Sequence, residues 1–389
     1  MPSSAATAGA ELSPALAPPP GNPRFPLFDG LRAVAALSVL LTHASGATNF
    51  NSADDVLGPY FARLDAGVAM FFVVSGFLLY RPFAGARLAG TRRPSAPGFF
   101  RRRALRILPA YWVLLTLLNV WPGLNGVWGR HWWAYYGLMQ NLDATWILGG
   151  IGPAWSLCIE VEFYLALPLI ALGMDRLLAG RDRRTQMRIE LALIWAFAFA
   201  SVVARTILHA KLPQDTFGYT LPGTLLWFAP GMSLAVLSAA WAGGVPRPRW
   251  AAAAGARSWL LWLGAFAFLT VAIRVGLPRS AVRFRYTETT WFAEHVLYAA
   301  VAALVVAPAA LSTNPSGLVE RVLSLRIAVF VGLISYSLFL VHLPLVWPLL
   351  PLQNHLPLPF VSFTLALLAL SVALATVSYH LVERPFLRL

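Results

Sequence analysis

Ten apolar stretches dominate the chain, and they restrict it to folds in which helices cross a lipid bilayer. Each is about 15 to 23 residues long, and a helix of roughly 20 apolar residues spans the hydrocarbon core. Backbone groups in lipid must be paired within the chain, which favours helices for such stretches. The stretches cover residues 28–48, 64–80, 107–121, 154–173, 189–209, 223–242, 258–276, 291–311, 327–347 and 359–381.

Composition and charge agree with a membrane protein. Hydrophobic residues make up 58% of the chain and charged residues 12%, whereas soluble domains carry about 25% charged residues. The net charge of +14 resides on arginines between the apolar stretches, so it indicates topology and anionic lipid or ligand, and no nucleic acid partner is expected. We predict an all-α polytopic transmembrane helical bundle of about ten spans in the plasma membrane, in contact with the lipid bilayer.

The distribution of basic residues predicts the orientation. With ten spans, both termini and four connections lie on one side, and that side holds 21 of the 30 lysine and arginine residues. Because basic residues favour the cytoplasmic side, we predict cytoplasmic N- and C-termini. Residues 1–26, rich in alanine and proline, predict a disordered tail, and residues 27–389 a single transmembrane domain. Three arginines in the outer loop after residue 276 do not fit the charge rule.

The first span carries polar groups on one helix face. Arg32 and His43 are eleven residues apart, which is close to three full turns, so both side chains leave the same face about 16 Å apart along the axis. Asp29 lies close to that face. A charge in a membrane helix costs at least about 2.5 kcal/mol. This row of polar side chains on one helix face therefore indicates a functional site or a path for a substrate. Interfacial placement of Asp29 and Arg32 is the alternative.

An arginine-rich loop precedes the third span. Eight arginines lie between residues 81 and 106, more than orientation needs. Arg103 and Arg106 are three residues apart at a predicted helix start, where their planar guanidinium groups can share a phosphate. A stop-transfer and lipid-binding patch is the alternative.

Two later spans place ionisable groups in the membrane. Glu160 and Glu162 diverge by about 200° on a helix, so only one can face a given site. A buried glutamate needs a cation or histidine as partner. The direction of the ninth span puts His342 in the outer half, level with His43 and Glu160. These three groups therefore lie outward, and the arginines lie toward the cytoplasm.

Six motifs follow one another between residues 28 and 386. They are Arg32-x10-His43, Phe71-Phe72-x-x-Ser75-Gly76-Phe77, Arg102-Arg103-x-x-Arg106-Ile107-x-Pro109-x-Tyr111, Trp155-Ser156-Leu157-x-x-Glu160-x-x-Phe163-Tyr164, Ser335-Tyr336-Ser337 with His342, and Glu383-Arg384-Pro385. In this order they resemble the acyltransferase 3 family of integral-membrane acyltransferases, in its stand-alone form without a fused esterase-like domain. One departure is Val161-Glu162, where the family often has Glu-Gln.

The resemblance implies transfer of an acyl group, commonly acetyl, from cytoplasmic acyl-CoA to a hydroxyl of a carbohydrate or a glycosylated or lipid-linked acceptor. It ties His43 and Arg32 to activity, and we add Glu160 as the acidic catalytic residue. We expect acyl-CoA to be bound by four arginines, Arg102, Arg103, Arg106 and Arg384. We expect the acceptor to be contacted by His342, Trp155, Tyr336 and Ser75.

The residues suit this chemistry independently of the resemblance. Acyl transfer needs a base, a donor for the oxyanion and an anion site for the CoA phosphates. Low dielectric favours a neutral His43, as a base requires, and Glu160 as its partner would stabilise the imidazolium. The sequence holds no Gly-x-Ser-x-Gly or His-Glu-x-x-His motif, and its one cysteine, Cys158, shows no sign of activation. We predict direct transfer without a metal.

This mechanism predicts a tapering, partly polar cavity. It would open to the cytoplasm beside Arg32, Arg103 and Arg106 and would end at His43, so that the pantetheine arm could bring the thioester to the base. The alternative function is a carrier that exports a small acylated or anionic metabolite, because buried ionisable groups also form substrate paths. The absence of related halves and of paired broken spans in the sequence counts against a carrier.

Overall fold

The computed structural model describes residues 26–211, 216–279, 286–312, 316–355 and 357–389, and no strand occurs among them. The predicted tail therefore lies outside the described residues, apart from Pro26. Ten long helices correspond one to one with the ten predicted spans, and the all-α prediction is confirmed. They are α1 (Pro26–Ala47), α2 (Gly67–Ala89), α3 (Ala96–Val120), α4 (Trp155–Leu178), α5 (Arg183–Lys211), α6 (Leu221–Ala242), α7 (Ser258–Arg274), α8 (Glu288–Leu311), α9 (Arg326–Leu349) and α10 (Pro359–Ser378).

The number of crossings depends on α7. In the described part of the chain, nine helices are long and apolar enough to cross a membrane, and α7 is not among them. It has 17 residues and follows the short helix Arg249–Ala256 with a bend of 86°. The seventh predicted span is therefore a bent pair of helices rather than one straight helix. It adjoins the loop whose arginines do not fit the charge rule.

Glycines allow the central helices to approach closely. A Cβ atom on Gly332 of α9 would lie 1.9 Å from the carbonyl oxygen of Asp29 in α1. A Cβ atom on Gly231 of α6 would lie 1.9 Å from the carbonyl oxygen of Val73 in α2. Small residues at such crossings bring backbones into van der Waals contact, which drives helix association in lipid. The pairs α1–α9 and α2–α6 accordingly form the tightly packed centre of the bundle.

Buried polar contacts connect helices around this centre. Arg63, 2% exposed, pairs with Glu294 of α8 at 3.0 Å. Arg87 of α2 pairs with Glu190 of α5, a glutamate that is fully buried. Burying one charge alone would cost several kcal/mol, so the first pair fixes the turn before α2 against α8, and the second fixes α2 against α5.

Short helices close both ends of the bundle. Between α3 and α4 they are Trp132–Tyr136, Gln140–Leu142 and Gly152–Ala154. The hydroxyl of Tyr111 in α3 donates to the carbonyl of Tyr135 at 2.7 Å, which holds this connection against the bundle. After α10 the chain continues as a π-helix, Tyr379–Glu383, and a last turn, Arg384–Leu387.

The glycine crossings lead to a stability prediction. Gly231→Ala should lower the apparent melting temperature of the purified protein in detergent, because overpacking typically costs about 1–3 kcal/mol. Gly173→Ala in α4 is the matched control, since nothing lies within 4 Å of its added Cβ atom. Equal melting temperatures for the two variants would contradict the close α2–α6 contact.

Candidate active site

A cavity of about 210 Å³ lies between α1, α2, α3, α4 and α9. Its ionisable lining consists of four arginines and two carboxylates: Asp29, Arg32, Arg81, Arg103, Arg106 and Glu160. The wall therefore carries an excess of two positive charges. Electrostatic attraction is stronger in such a low-dielectric setting than in water, so the cavity suits an anionic ligand.

Three of these arginines have no counter-charge in contact. For Arg32, Arg103 and Arg106, no ion pair or hydrogen bond is found among the described residues, and the Nε atom of Arg103 is buried without a partner. The sequence analysis placed these three residues beside the opening of one predicted cavity, and all three line the cavity in the structure. Guanidinium groups with open donors bind phosphate or carboxylate through charge-assisted hydrogen bonds.

Glu160 belongs to the arginine cavity rather than to His43. Its Oε1 atom accepts hydrogen bonds from the Ser75 hydroxyl at 2.8 Å and the Tyr164 hydroxyl at 2.7 Å. It lines the same cavity as Arg32 and Arg103. The sequence-based pairing of Glu160 with His43 is therefore not what the structure shows.

The reason for this difference lies at the start of α4. Depth was counted from a helix that begins at the membrane surface. The residues before α4 are themselves buried, with Ile151 and Ala154 at 0% exposure. Because protein covers the start of α4, counting residues from that end did not identify the partners of Glu160.

Glu162 has a separate, structural set of partners. Its Oε1 atom accepts from the Asn141 side-chain amide at 2.6 Å, and its Oε2 atom accepts from the backbone N–H of Leu221 at 2.6 Å. Leu221 is the first residue of α6, where unpaired N–H groups favour a negative charge. As expected from their helical spacing, only one of the two glutamates lines the cavity.

His43 and His342 form a pair, which agrees with their predicted common depth. The Nδ1 atom of His43 is 2.9 Å from the Nε2 atom of His342, and Nδ1 of His342 is 3.2 Å from the carbonyl oxygen of Leu338. A carbonyl can only accept, so the bound proton of a neutral His342 is on Nδ1, and its Nε2 accepts from His43. These partners assign the His43 proton to Nδ1, which leaves its Nε2 lone pair free to act as a base.

The cavity does not extend to this histidine pair. Neither histidine contributes to the cavity lining. Phe339 lines the cavity, and its ring centroid is 5.8 Å from that of His342. The predicted open passage from Arg32 to His43 is therefore corrected, since an aromatic side chain separates the two ends.

The remaining predicted residues divide between the cavity and its surroundings. Tyr336 lines the cavity and donates to the carbonyl of Ile107 at 2.9 Å. Three others are not part of the lining: Trp155, whose ring packs edge-on against Tyr219, the exposed Arg102, and Arg384 in the last helical turn.

Sequence reasoning also missed functional neighbours. Arg81 and Tyr164 line the cavity, although Arg81 was counted only among the basic residues of a loop. Glu383, expected at the membrane surface, is 2% exposed and accepts from the Ser337 hydroxyl at 2.6 Å. The motifs that contain Tyr164 and Glu383 were the available signal, but they do not reveal tertiary contacts.

Comparisons with known proteins relate the chain to acyltransferases. The model of a family described as an acyltransferase domain matches residues 26–380. YrhL of Bacillus subtilis (strain 168), named for peptidoglycan O-acetylation, is 26% identical over 376 residues, which is 92% of this chain and 54% of that protein. The peptidoglycan O-acetyltransferase OatA of Listeria monocytogenes is 23% identical over 380 residues, 92% of this chain and 55% of that protein.

A third relative is named as an acyltransferase, and its name does not mention peptidoglycan. The acyltransferase MdmB of Streptomyces mycarofaciens is 28% identical over 235 residues, which is 54% of each chain. The chain thus spans about half the length of these curated relatives. No solved structure matches it.

The two glutamates lead to opposite expectations for stability. Glu162→Gln should lower the melting temperature in detergent, because an amide cannot accept on both sides and an unmatched buried donor costs about 1–3 kcal/mol. Glu160→Gln should have the smaller effect, since both of its hydrogen bonds reach one oxygen, Oε1, which glutamine keeps. A larger loss of stability for Glu160→Gln would contradict these assignments.

Proposed function

The chain belongs to this acyltransferase family, and we propose that it transfers an acyl group, acetyl in the first instance, from cytoplasmic acyl-CoA to a hydroxyl of a carbohydrate or glycosylated acceptor. The family membership confirms the resemblance found in the sequence, and the protein is a multi-pass membrane acyltransferase. Relatives named as peptidoglycan O-acetyltransferases support a carbohydrate hydroxyl as the acceptor. Family membership also favours an enzyme over a carrier.

The arginine cavity is the observation that carries the proposed donor. Acyl-CoA bears several phosphate charges, which cannot enter hydrocarbon cheaply. Arg32, Arg103 and Arg106 offer guanidinium donors that form no ion pair with any described carboxylate. We place the anionic part of CoA near these groups, with this end of the bundle toward the cytoplasm. Arg32 shares α1 with His43, so it connects the donor site to the base.

His43 then acts as the general base in a direct transfer. Its Nε2 atom takes the proton of the acceptor hydroxyl while the hydroxyl oxygen attacks the thioester carbonyl. When the tetrahedral intermediate collapses, the C–S bond breaks, and the proton on Nε2 passes to the thiolate, giving the ester and free CoA. Throughout, Nε2 of His342 accepts the Nδ1 proton of His43, which keeps the ring oriented and stabilises the imidazolium.

Glu160 has a different role in this mechanism from the one expected of a base partner. It is held by Ser75 and Tyr164 within the arginine cavity. We infer that its charge positions Arg32 and Arg103 and keeps them from repelling each other when the cavity is empty. The cavity hydroxyls of Ser75 and Tyr336, predicted as acceptor contacts, lie on the donor side in this proposal.

A direct assay separates transfer from transport. Purified protein in detergent, given acetyl-CoA and candidate sugars, should release free CoA thiol and form an acetylated sugar detectable by mass spectrometry. Protein in sealed vesicles that moves an acylated compound across the membrane, with no release of CoA thiol in either preparation, would support the carrier instead.

The base assignment predicts the effect of removing His43. His43→Ala should lower the transfer rate by about 10²- to 10⁴-fold, the usual contribution of a general base, while acetyl-CoA binding is retained because the arginine cavity is intact. His380→Ala, at an exposed histidine, is the matched control and should keep wild-type turnover. More than about a tenth of the wild-type rate in His43→Ala would rule out this role.

The donor assignment predicts the effect of the arginines. Arg103→Ala and Arg106→Ala should each weaken acetyl-CoA binding, and Arg103→Lys should do so too, because lysine lacks the planar fork that binds phosphate. The control is Arg188→Ala, an exposed arginine of α5. Binding can be measured by isothermal titration in detergent. Affinities equal to that of Arg188→Ala would reassign the basic stretch to topology and lipid.

A further inference from the structure

The wall between the cavity and the histidine pair is aromatic. Phe339 of α9 lines the cavity, is 6% exposed, and its ring contacts that of His342. Phe71 of α2 also lines the cavity, and its ring centroid lies 5.5 Å from that of Phe339 at an interplanar angle of 72°. Such an edge-to-face contact is a favourable aromatic geometry, so the two rings support each other.

Other aromatic residues of the cavity face elsewhere. Phe72 packs against Trp227 and Phe228 of α6. Phe28 stacks on Phe77 at 4.6 Å. Among the described aromatic side chains of the lining, Phe339 is the one whose ring contacts a member of the histidine pair.

We propose that Phe339, supported by Phe71, closes the donor cavity at its end nearest His43 and thereby limits the transferred group to a short acyl chain. This rests on the proposed function. For transfer, the thioester must reach the end of the cavity where Phe339 lies beside His342, and the carbons beyond its carbonyl must then fit against these rings. A densely packed aromatic wall offers no free volume for them. An acetyl group adds a single methyl, whereas each longer chain needs space that the rings occupy.

The test compares two donors on one set of variants. The ratio of kcat/KM for butyryl-CoA to that for acetyl-CoA should rise about 16-fold in Phe339→Ala, since butyryl has two more methylenes than acetyl and each additional buried methylene contributes roughly a fourfold gain. Phe339→Leu should give a smaller rise in the same direction. Phe83→Ala is the control: Phe83 is a buried phenylalanine of α2 that packs against Phe99 and is not part of the cavity lining, so its ratio should match that of the wild type.

Each outcome decides between the two proposals. Acetyl transfer with an unchanged ratio in both Phe339 variants would overturn the chain-length role and leave the acyltransferase proposal in place. A wild-type protein that transfers neither group to any acceptor would overturn both. If Phe339→Ala is not recovered as a monodisperse protein, Phe339→Leu decides the question, because leucine keeps an apolar side chain at that position. An equal rise in Phe83→Ala would assign the effect to general loosening and overturn the specific role of Phe339.

Discussion

The high cost of an uncompensated charge in a bilayer determines how this bundle is organised. Arg63 meets Glu294, and Glu190 meets Arg87. The first pair joins the turn before α2 to α8, and the second joins α2 to α5. Against this background, Arg32, Arg103 and Arg106 are the exception, because none of the three forms an ion pair within the described part of the chain and all three line a cavity. A membrane protein can tolerate that arrangement where water or an anionic ligand reaches the charges, and this is the physical reason to place the donor there.

One helix crossing connects the two halves of the proposed chemistry. Gly332 lets α9 approach the backbone of Asp29, three residues before Arg32. Farther along the same two helices, His43 of α1 meets His342 of α9. The arginine side and the base are thus carried by one closely packed pair of helices. Their separation is fixed by helical rise, and the Phe339 side chain lies between the cavity and the histidine pair.

Sequence reasoning predicted the helices and the row of polar side chains on α1 because both depend on the spacing of residues along a helix. The ten spans, the shared depth of His43 and His342, and the divergence of Glu160 from Glu162 follow from residues per turn and chain direction. The partner of Glu160 did not follow, because a buried connection places the start of α4 inside the protein. The contact of Phe339 with Phe71 of α2 did not follow either, since a ring contact between helices leaves no trace in the spacing of either helix.

The arginine cavity and the aromatic wall together select for charge as well as for size. In the proposed reaction, the phosphates of CoA remain with the guanidinium groups, because moving them past Phe339 would exchange strong charge-assisted hydrogen bonds for an apolar surface. The uncharged thioester arm can lie against these rings at far lower cost. Water and ions, which would hydrolyse the thioester or dissipate the membrane gradient, meet the same apolar barrier. In the proposed reaction, Phe339 would thus separate the phosphates of the donor from the base without a second covalent step.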